Sequence, residues 1–242
     1  MTRSIYVQTN WAPGEEVSET RWVQSVSDAH GWPAAIVAYA ALAAENLTRT
    51  LDAHGEFPAF RGIRQQLHWH ENELYRFAAT PDILNGAAWR KSFAEVAARG
   101  LVFELQLFTS QFADGARLAK DFPDASVVLE HAGMREDDSP AGRTAWAEGL
   151  KRLAENTNVS TKLSGLGTFV QRCDAAGIAD IMHQTVEIFG AERCMFGSNF
   201  PIEKLWTGYA DLLNGHLAAA AHYSEPERRA IFHDTAARIY RL

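Results

Sequence analysis

The segment RCMFGSNFPIEKL, residues 193–205, decides the fold. Its apolar run Cys194-Met195-Phe196 stops at Gly197-Ser198, a polar Asn199 follows, and Phe200-Pro201 ends it. A buried strand that ends this way delivers one polar side chain to the rim of a sheet. Six more short runs precede it: SIYVQTN (4–10), AAIVAYA (34–40), RGIRQQL (61–67), LVFELQLF (101–108), SVVLEHAG (126–133) and VSTKLSG (159–165). Most are continuously apolar rather than alternating, which predicts parallel strands covered on both faces.

Helical periodicity fills several of the gaps. Residues 14–31 place Val17, Trp22, Val23 and Val26 near helical spacing and stop at Gly31. Residues 80–100 open on the start signal Thr80-Pro81 and close on Gly100. Segments 141–156, 174–190 and 224–242 fit the same pattern. Strand then helix, repeated, predicts a parallel sheet wound by right-handed crossovers, either doubly wound or a (β/α)8 barrel. TNWAPGEE (9–16), after the first strand, lacks the Gly-rich phosphate loop of a dinucleotide fold. Polar residues instead gather at the ends of many strands: Gln8, Asn10, Arg64, Gln66, Gln106, His131, Lys162 and Asn199. That is the habit of a barrel. The expectation is one α/β domain over residues 1–242, a distorted TIM-like barrel with seven strands where eight are usual.

Composition narrows the function. Of 242 residues, 47% are hydrophobic and 22% charged, enough for a large core. The net charge is −7, and no basic cluster exceeds Arg228-Arg229, which argues against nucleic acid or an anionic membrane as partner. Cys173 and Cys194 lie far apart and fit a reducing compartment. No apolar run approaches a membrane span, and MTRSIYVQTNWAP has no apolar signal core. A cytoplasmic protein acting on a small molecule is expected.

At this point the motifs carry a resemblance. VLEHAGM, STKLSGLGTF and RCMFGSNFPIEKL, with RGIRQQLHWHEN and the ending IFHDTAARIYRL, resemble the amidohydrolase-related family, TIM-barrel metal-dependent hydrolases that include sugar-lactone and pyrone-dicarboxylate lactonases. The resemblance covers residues 3 to 242. It implies an active site at the C-terminal ends of the strands and hydrolysis of a lactone of a small sugar acid or carboxylated ring compound. It also implies a first strand ending in His-x-His. The pair His68-Trp69-His70 follows a later strand, so this strand is expected to be absent and the domain N-terminally shortened. Where lactonase members carry an aspartate that moves the proton of the attacking water, this chain has Asn199, which cannot do so.

Several residues are candidates for chemistry. His131 can polarise a carbonyl or ligate a metal, or it can be a histidine satisfied in a tight turn. Lys162 can hold an anionic group in the barrel mouth or form an internal ion pair with Glu104. Arg64 and Gln66 share one face of a strand, where an arginine suits carboxylate capture or, again, a pair with Glu104. Gln106 and Gln8 are candidates for orienting substrate. Glu130 is expected to face away, toward the helices. His68 and His70, spaced i, i+2, form with His131 a candidate zinc site, and Trp69, Trp11 and Trp206 are candidates for the pocket lining. The expected catalytic set is therefore His131, Asn199 and Lys162, with one divalent metal, zinc, as the cofactor to test. The alternatives are an inactive barrel that binds a small acid and a metal-dependent decarboxylase. An incomplete barrel also leaves unpaired strand edges, which lower stability and favour a homo-oligomer.

Overall fold

The computed structural model describes residues 2–242. All seven expected strands form: β1 (Ile5–Val7), β2 (Ala35–Tyr39), β3 (Phe60–Gln66), β4 (Val102–Gln106), β5 (Ser126–Leu129), β6 (Val159–Leu163) and β7 (Cys194–Phe196). They make one sheet in chain order, every pair parallel. The sheet curls into a TIM-like partial barrel wrapped by helices. β1 and β7 each pair on one side only among the described residues.

The helices are α1 (Glu16–His30), α2 (Leu47–Gly55), α3 (Ala87–Ala98), α4 (Phe112–Asp121), α5 (Pro140–Ala154), α6 (Ala175–Phe189), α7 (Tyr209–Ala219), α8 (Glu225–Arg229) and α9 (Thr235–Tyr240). Sequence periodicity located α1, α3, α5, α6 and the C-terminal pair. It placed the start of α3 too early: Thr80-Pro81 opens a turn, and the helix begins after Gly86, whose extended backbone (φ −63°, ψ 124°) forms the N-cap. The C-terminal segment is α8 and α9 joined through a wider π turn at Ala230–Asp234. Helices α2, α4 and α7 were missed because they are short. Gly115 lies inside α4, where a Cβ would sit 2.8 Å from Leu107 Cδ1. Glycine there lets the helix approach its sheet. No helix among the described residues is long and apolar enough to cross a membrane.

Residues two apart on a strand share a face, so the inside of the curl is built in layers. The lowest layer is apolar: Ala35, Val37, Val102, Val128 and Met195 cluster with Tyr240 of α9. Two residues further along β4 comes Glu104, in register with Arg64 of β3, and Lys162 of β6 reaches it across the curl. The polar mouth lies above. A larger apolar cluster, including Leu105, Leu129 and Leu163, packs the outer face of the sheet against the helices.

Candidate active site

The charged layer is a closed set of ion pairs. Lys162 Nζ lies 2.7 Å from both oxygens of Glu104 and 3.0 Å from Glu130 Oε1. Tyr240 donates its hydroxyl to Glu104 from below, and Arg64 Nη1 reaches Glu130 Oε2 at 3.3 Å while Nη2 donates to the Gln8 carbonyl. Lys162, Glu104, Glu130 and Tyr240 are buried and Arg64 is largely so, and burying charges is tolerable only when each is paired. Burial pushes the Glu104 carboxyl up to about 8. Burial acts on Glu130 in the same sense, but Lys162 and then His131 hold it well below the usual carboxylate range. For Lys162, the two glutamates outweigh burial and raise its pKa. Of the two readings of Lys162, the structure contains the internal ion pair. Arg64 pairs with Glu130 rather than Glu104.

Glu130 departs from expectation. β5 ends at Leu129, and His131 (φ 57°), Ala132 (φ 48°), Gly133 (φ 74°) and Met134 (φ 49°) then run through left-handed backbone. Glu130 continues the alternation of β5, two residues past the inward Val128, so it enters the barrel instead of facing the helices, and the left-handed backbone brings His131 into the same interior. His131 Nε2 lies 3.2 Å from Glu130 Oε2, and Nδ1 lies 2.8 Å from Ser164 Oγ at the end of β6. The carboxylate favours the proton on Nε2, which leaves Nδ1 to accept from the serine hydroxyl. Burial lowers the His131 pKa to about 4, so the ring is neutral near pH 7.

The candidate zinc ligands are not brought together. The His68 ring packs 4.7 Å from Phe77 and 5.3 Å from Phe108, and burial, then the nearby His131 and Arg64, lower its pKa to about 3. His70 meets Tyr75 and Phe108 edge-on, and its Nδ1 accepts the Asn72 backbone N–H at 2.9 Å. Among the described residues, no three His, Cys, Asp or Glu side chains are placed to hold a metal ion. A three-ligand zinc centre does not fit this donor set.

The last rim position is held tightly. Asn199 adopts a left-handed backbone (φ 52°), and its Nδ2 lies 3.4 Å from both Thr168 Oγ1 and Glu203 Oε1. Gly165 separates Asn199 from His131: a Cβ there would sit 2.7 Å from His131 Nδ1 and 3.1 Å from Asn199 Nδ2. Glu203 is fully buried; its Oε1 accepts the Thr168 hydroxyl at 2.7 Å, and its Oε2 has no hydrogen-bond partner. Sequence reading missed Glu203. The available signal was an acidic residue one helical turn past Asn199, directly after the apolar Phe200-Pro201-Ile202.

Around this core the mouth keeps unused polar atoms. Gln8 accepts the Asn10 N–H through Oε1, and Gln106 donates to Met134 Sδ through Nε2. Gln8 Nε2, Arg64 Nε, Gln106 Oε1 and His68 Nδ1 are buried without a hydrogen-bond partner. Such atoms are costly unless a ligand completes them. Gln66 lies in register with Gln106 at the end of β3. Trp69 stacks under the Arg76 guanidinium at 5.2 Å, and Trp11 packs on Trp22 at 5.7 Å. Trp206 Nε1 is buried and unpartnered. A separate cleft of about 200 Å³ opens beside α5 and α6, but its Arg135 and Arg143 are spent on Asp138 and Asp180.

Comparison with known proteins places this geometry. A family model described as amidohydrolase matches residues 1–242. The uncharacterized protein y4mH of Sinorhizobium fredii is 35% identical over 242 residues, covering 100% of this chain and 81% of that protein. An L-fucono-1,5-lactonase of Burkholderia multivorans is 29% identical over 222 residues, 86% of this chain and 72% of that one. Among solved structures, an amidohydrolase from Burkholderia multivorans with bound zinc superposes with a TM-score of 0.86 at 25% identity, covering 100% of this chain and 84% of that one.

Proposed function

The chain belongs to the amidohydrolase family, and on that premise we propose that this hydrolase opens a lactone of a small sugar acid or carboxylated ring compound. The observation that carries the reading is the mouth itself. Unpartnered donors (Gln8 Nε2, Arg64 Nε), the acceptor Gln106 Oε1 and the imidazole nitrogen His68 Nδ1 stand at and beside the strand ends, next to the buried charges. That suits a small, oxygen-rich ring better than an apolar ligand. The lactonase-named relative supports the substrate class.

In the proposed reaction the oxygen of water adds to the ester carbonyl carbon and the ring C–O bond breaks. The water proton passes through the Ser164 hydroxyl to His131 Nδ1, and Glu130, 3.2 Å from Nε2, stabilises the imidazolium that forms. The same proton then returns to the departing ring oxygen. Gln8 and Arg64 orient the substrate's polar groups, with Gln66 and Gln106 beside them. Lys162 touches no substrate in this scheme: it holds Glu130 in place. Because the donor set assembles no zinc centre, no step runs through a metal.

A panel of sugar-acid and carboxylated lactones, followed by proton release, tests the reading. Turnover of at least one lactone, lost in His131→Ala, is expected. No turnover above buffer, with His131→Ala binding the same acids normally, overturns it. Carbon dioxide release without proton release would point to decarboxylation instead.

A further inference from the structure

Asn199 stands where a proton-moving carboxylate would be useful, and a carboxylate is indeed present one helical turn away. Glu203 Oε1 lies 3.4 Å from Asn199 Nδ2, and Glu203 is fully buried. Two carboxylates at that separation could not both ionise without a large penalty. Asparagine at 199 and glutamate at 203 are therefore a matched pair: one carries the charge, the other the amide that solvates it. A carboxylate only accepts hydrogen bonds, so it dictates which end of the amide turns toward it. Thr168 Oγ1, 3.4 Å from the same Nδ2 and 2.7 Å from the same Glu203 oxygen, completes a three-cornered clamp between the loops after β6 and β7. The amide's other end, Oδ1, takes no part in the clamp.

We propose that Glu203 is a positioning residue that fixes Asn199, so that the last rim loop presents the uncharged oxygen Oδ1 to an O–H donor in the mouth. The inference rests on the hydrolase reading above. It accounts for the absence of aspartate: a neutral acceptor holds the attacking water or a substrate hydroxyl without competing with His131 for the proton. Glu203 acts through Asn199 and touches no reacting atom.

The test compares Glu203→Gln, Asn199→Ala and the double variant on the lactone turned over fastest, with the melting temperature of each recorded. Glutamine keeps the size but can donate, so the amide of Asn199 is no longer fixed. The expected result is a loss in kcat/KM of roughly 10- to 100-fold in Glu203→Gln that disappears in the Asn199→Ala background. A fall in kcat identifies water as the donor, and a rise in KM identifies a substrate hydroxyl. Equal losses in both backgrounds mean a purely structural role and overturn the proposal, as does an unaffected Glu203→Gln. Asn199→Asp leaves Glu203 in place and serves if Glu203→Gln does not fold. It should add an ionisation to the pH profile, which a lone structural glutamate would not. One readout needs no turnover: the Asn199 side-chain amide protons, followed by NMR, should exchange slowly in the wild type and fast in Glu203→Gln. If no lactone is hydrolysed, the functional reading fails while the amide readout still decides this one. Fast exchange in the wild type overturns the clamp.

Discussion

Glu130 and His131 are consecutive in the chain, yet both side chains enter the same interior, with Glu130 Oε2 3.2 Å from His131 Nε2. The left-handed turn that begins at His131 makes this possible. It converts an ordinary strand end into an acid–imidazole pair and ties that pair to the buried ions below, since the same carboxylate also meets Arg64 and Lys162.

Glu130→Gln should therefore damage both stability and chemistry. It removes from the buried set the ionised carboxylate that faces both Lys162 and Arg64, leaving positive charge uncompensated. Breaking such a set by one partner typically costs about 3–5 kcal/mol. Urea unfolding should show a loss of that order. Activity should fall with it, because the imidazolium loses its counter-charge. A stability change under about 1 kcal/mol would mean that water reaches this layer.

Gly165→Ala separates the site from the fold. Gly165 sits at φ 59°, and an added Cβ would lie 2.7 Å from His131 Nδ1. The backbone strain costs about 1–2 kcal/mol, well short of unfolding a domain of this size. The expected outcome is an unchanged far-UV circular dichroism spectrum with kcat/KM reduced at least tenfold.

Much of this was legible in the sequence, and the boundary is physical. The strands β2, β4, β5 and β6 are buried on both faces and so write themselves as apolar runs. The period of two on a strand made Lys162 and Glu104 credible partners before any geometry was known. Glu130 was misplaced because His131 was taken as the inward residue of that strand, and no pattern in EHAGM announces the four consecutive left-handed residues that bring His131 inside beside it. Glu203 was invisible for another reason. Its partner Thr168 is 35 residues earlier, and only the adjacency of β6 and β7 brings them together. As a metal pair, His68 and His70 misled in the opposite direction, because Phe77, Phe108 and Asn72 use the two rings for packing and loop closure.

The acid side of the stability curve should report the buried histidines. Burial lowers His131 to about 4 and His68 to about 3. An unfolded histidine titrates near 6.5. Between these values the unfolded chain binds protons that the folded chain refuses, so stability is full above about pH 6.5 and is lost as pH falls. Each tenfold difference in proton affinity between the two states is worth about 1.4 kcal/mol, so urea unfolding should show a net loss of about 2 kcal/mol between about pH 6.5 and 4.5, the histidine loss being offset in part by Glu104, which at about 8 takes up a proton on folding. His68→Leu fits between the same aromatic rings and should make that slope shallower. The same neutral imidazole should carry activity: the acid limb of kcat/KM should fall near pH 4, where His131 titrates, rather than near the ordinary histidine value of about 6.5.

The open edges of the sheet should be its weakest part. β1 and β7 each have one hydrogen-bonded neighbour among the described residues, while β2 to β6 have two. In a parallel strand alternate N–H groups point to opposite sides, so about half the amides of each edge strand face away from the sheet. Those amides are held by no ladder and should exchange with solvent within the first time points of a hydrogen-exchange experiment. The amides of β4 and β5, paired on both sides and under the packed helices, should wait for global unfolding. Edges of this kind also favour pairing with another chain, so sedimentation should show an oligomer that grows with concentration and whose formation slows exchange at β1 and β7 while leaving β4 unchanged. Equal protection across all seven strands in a dilute monomer would mean that something on the surface of this chain already covers both edges.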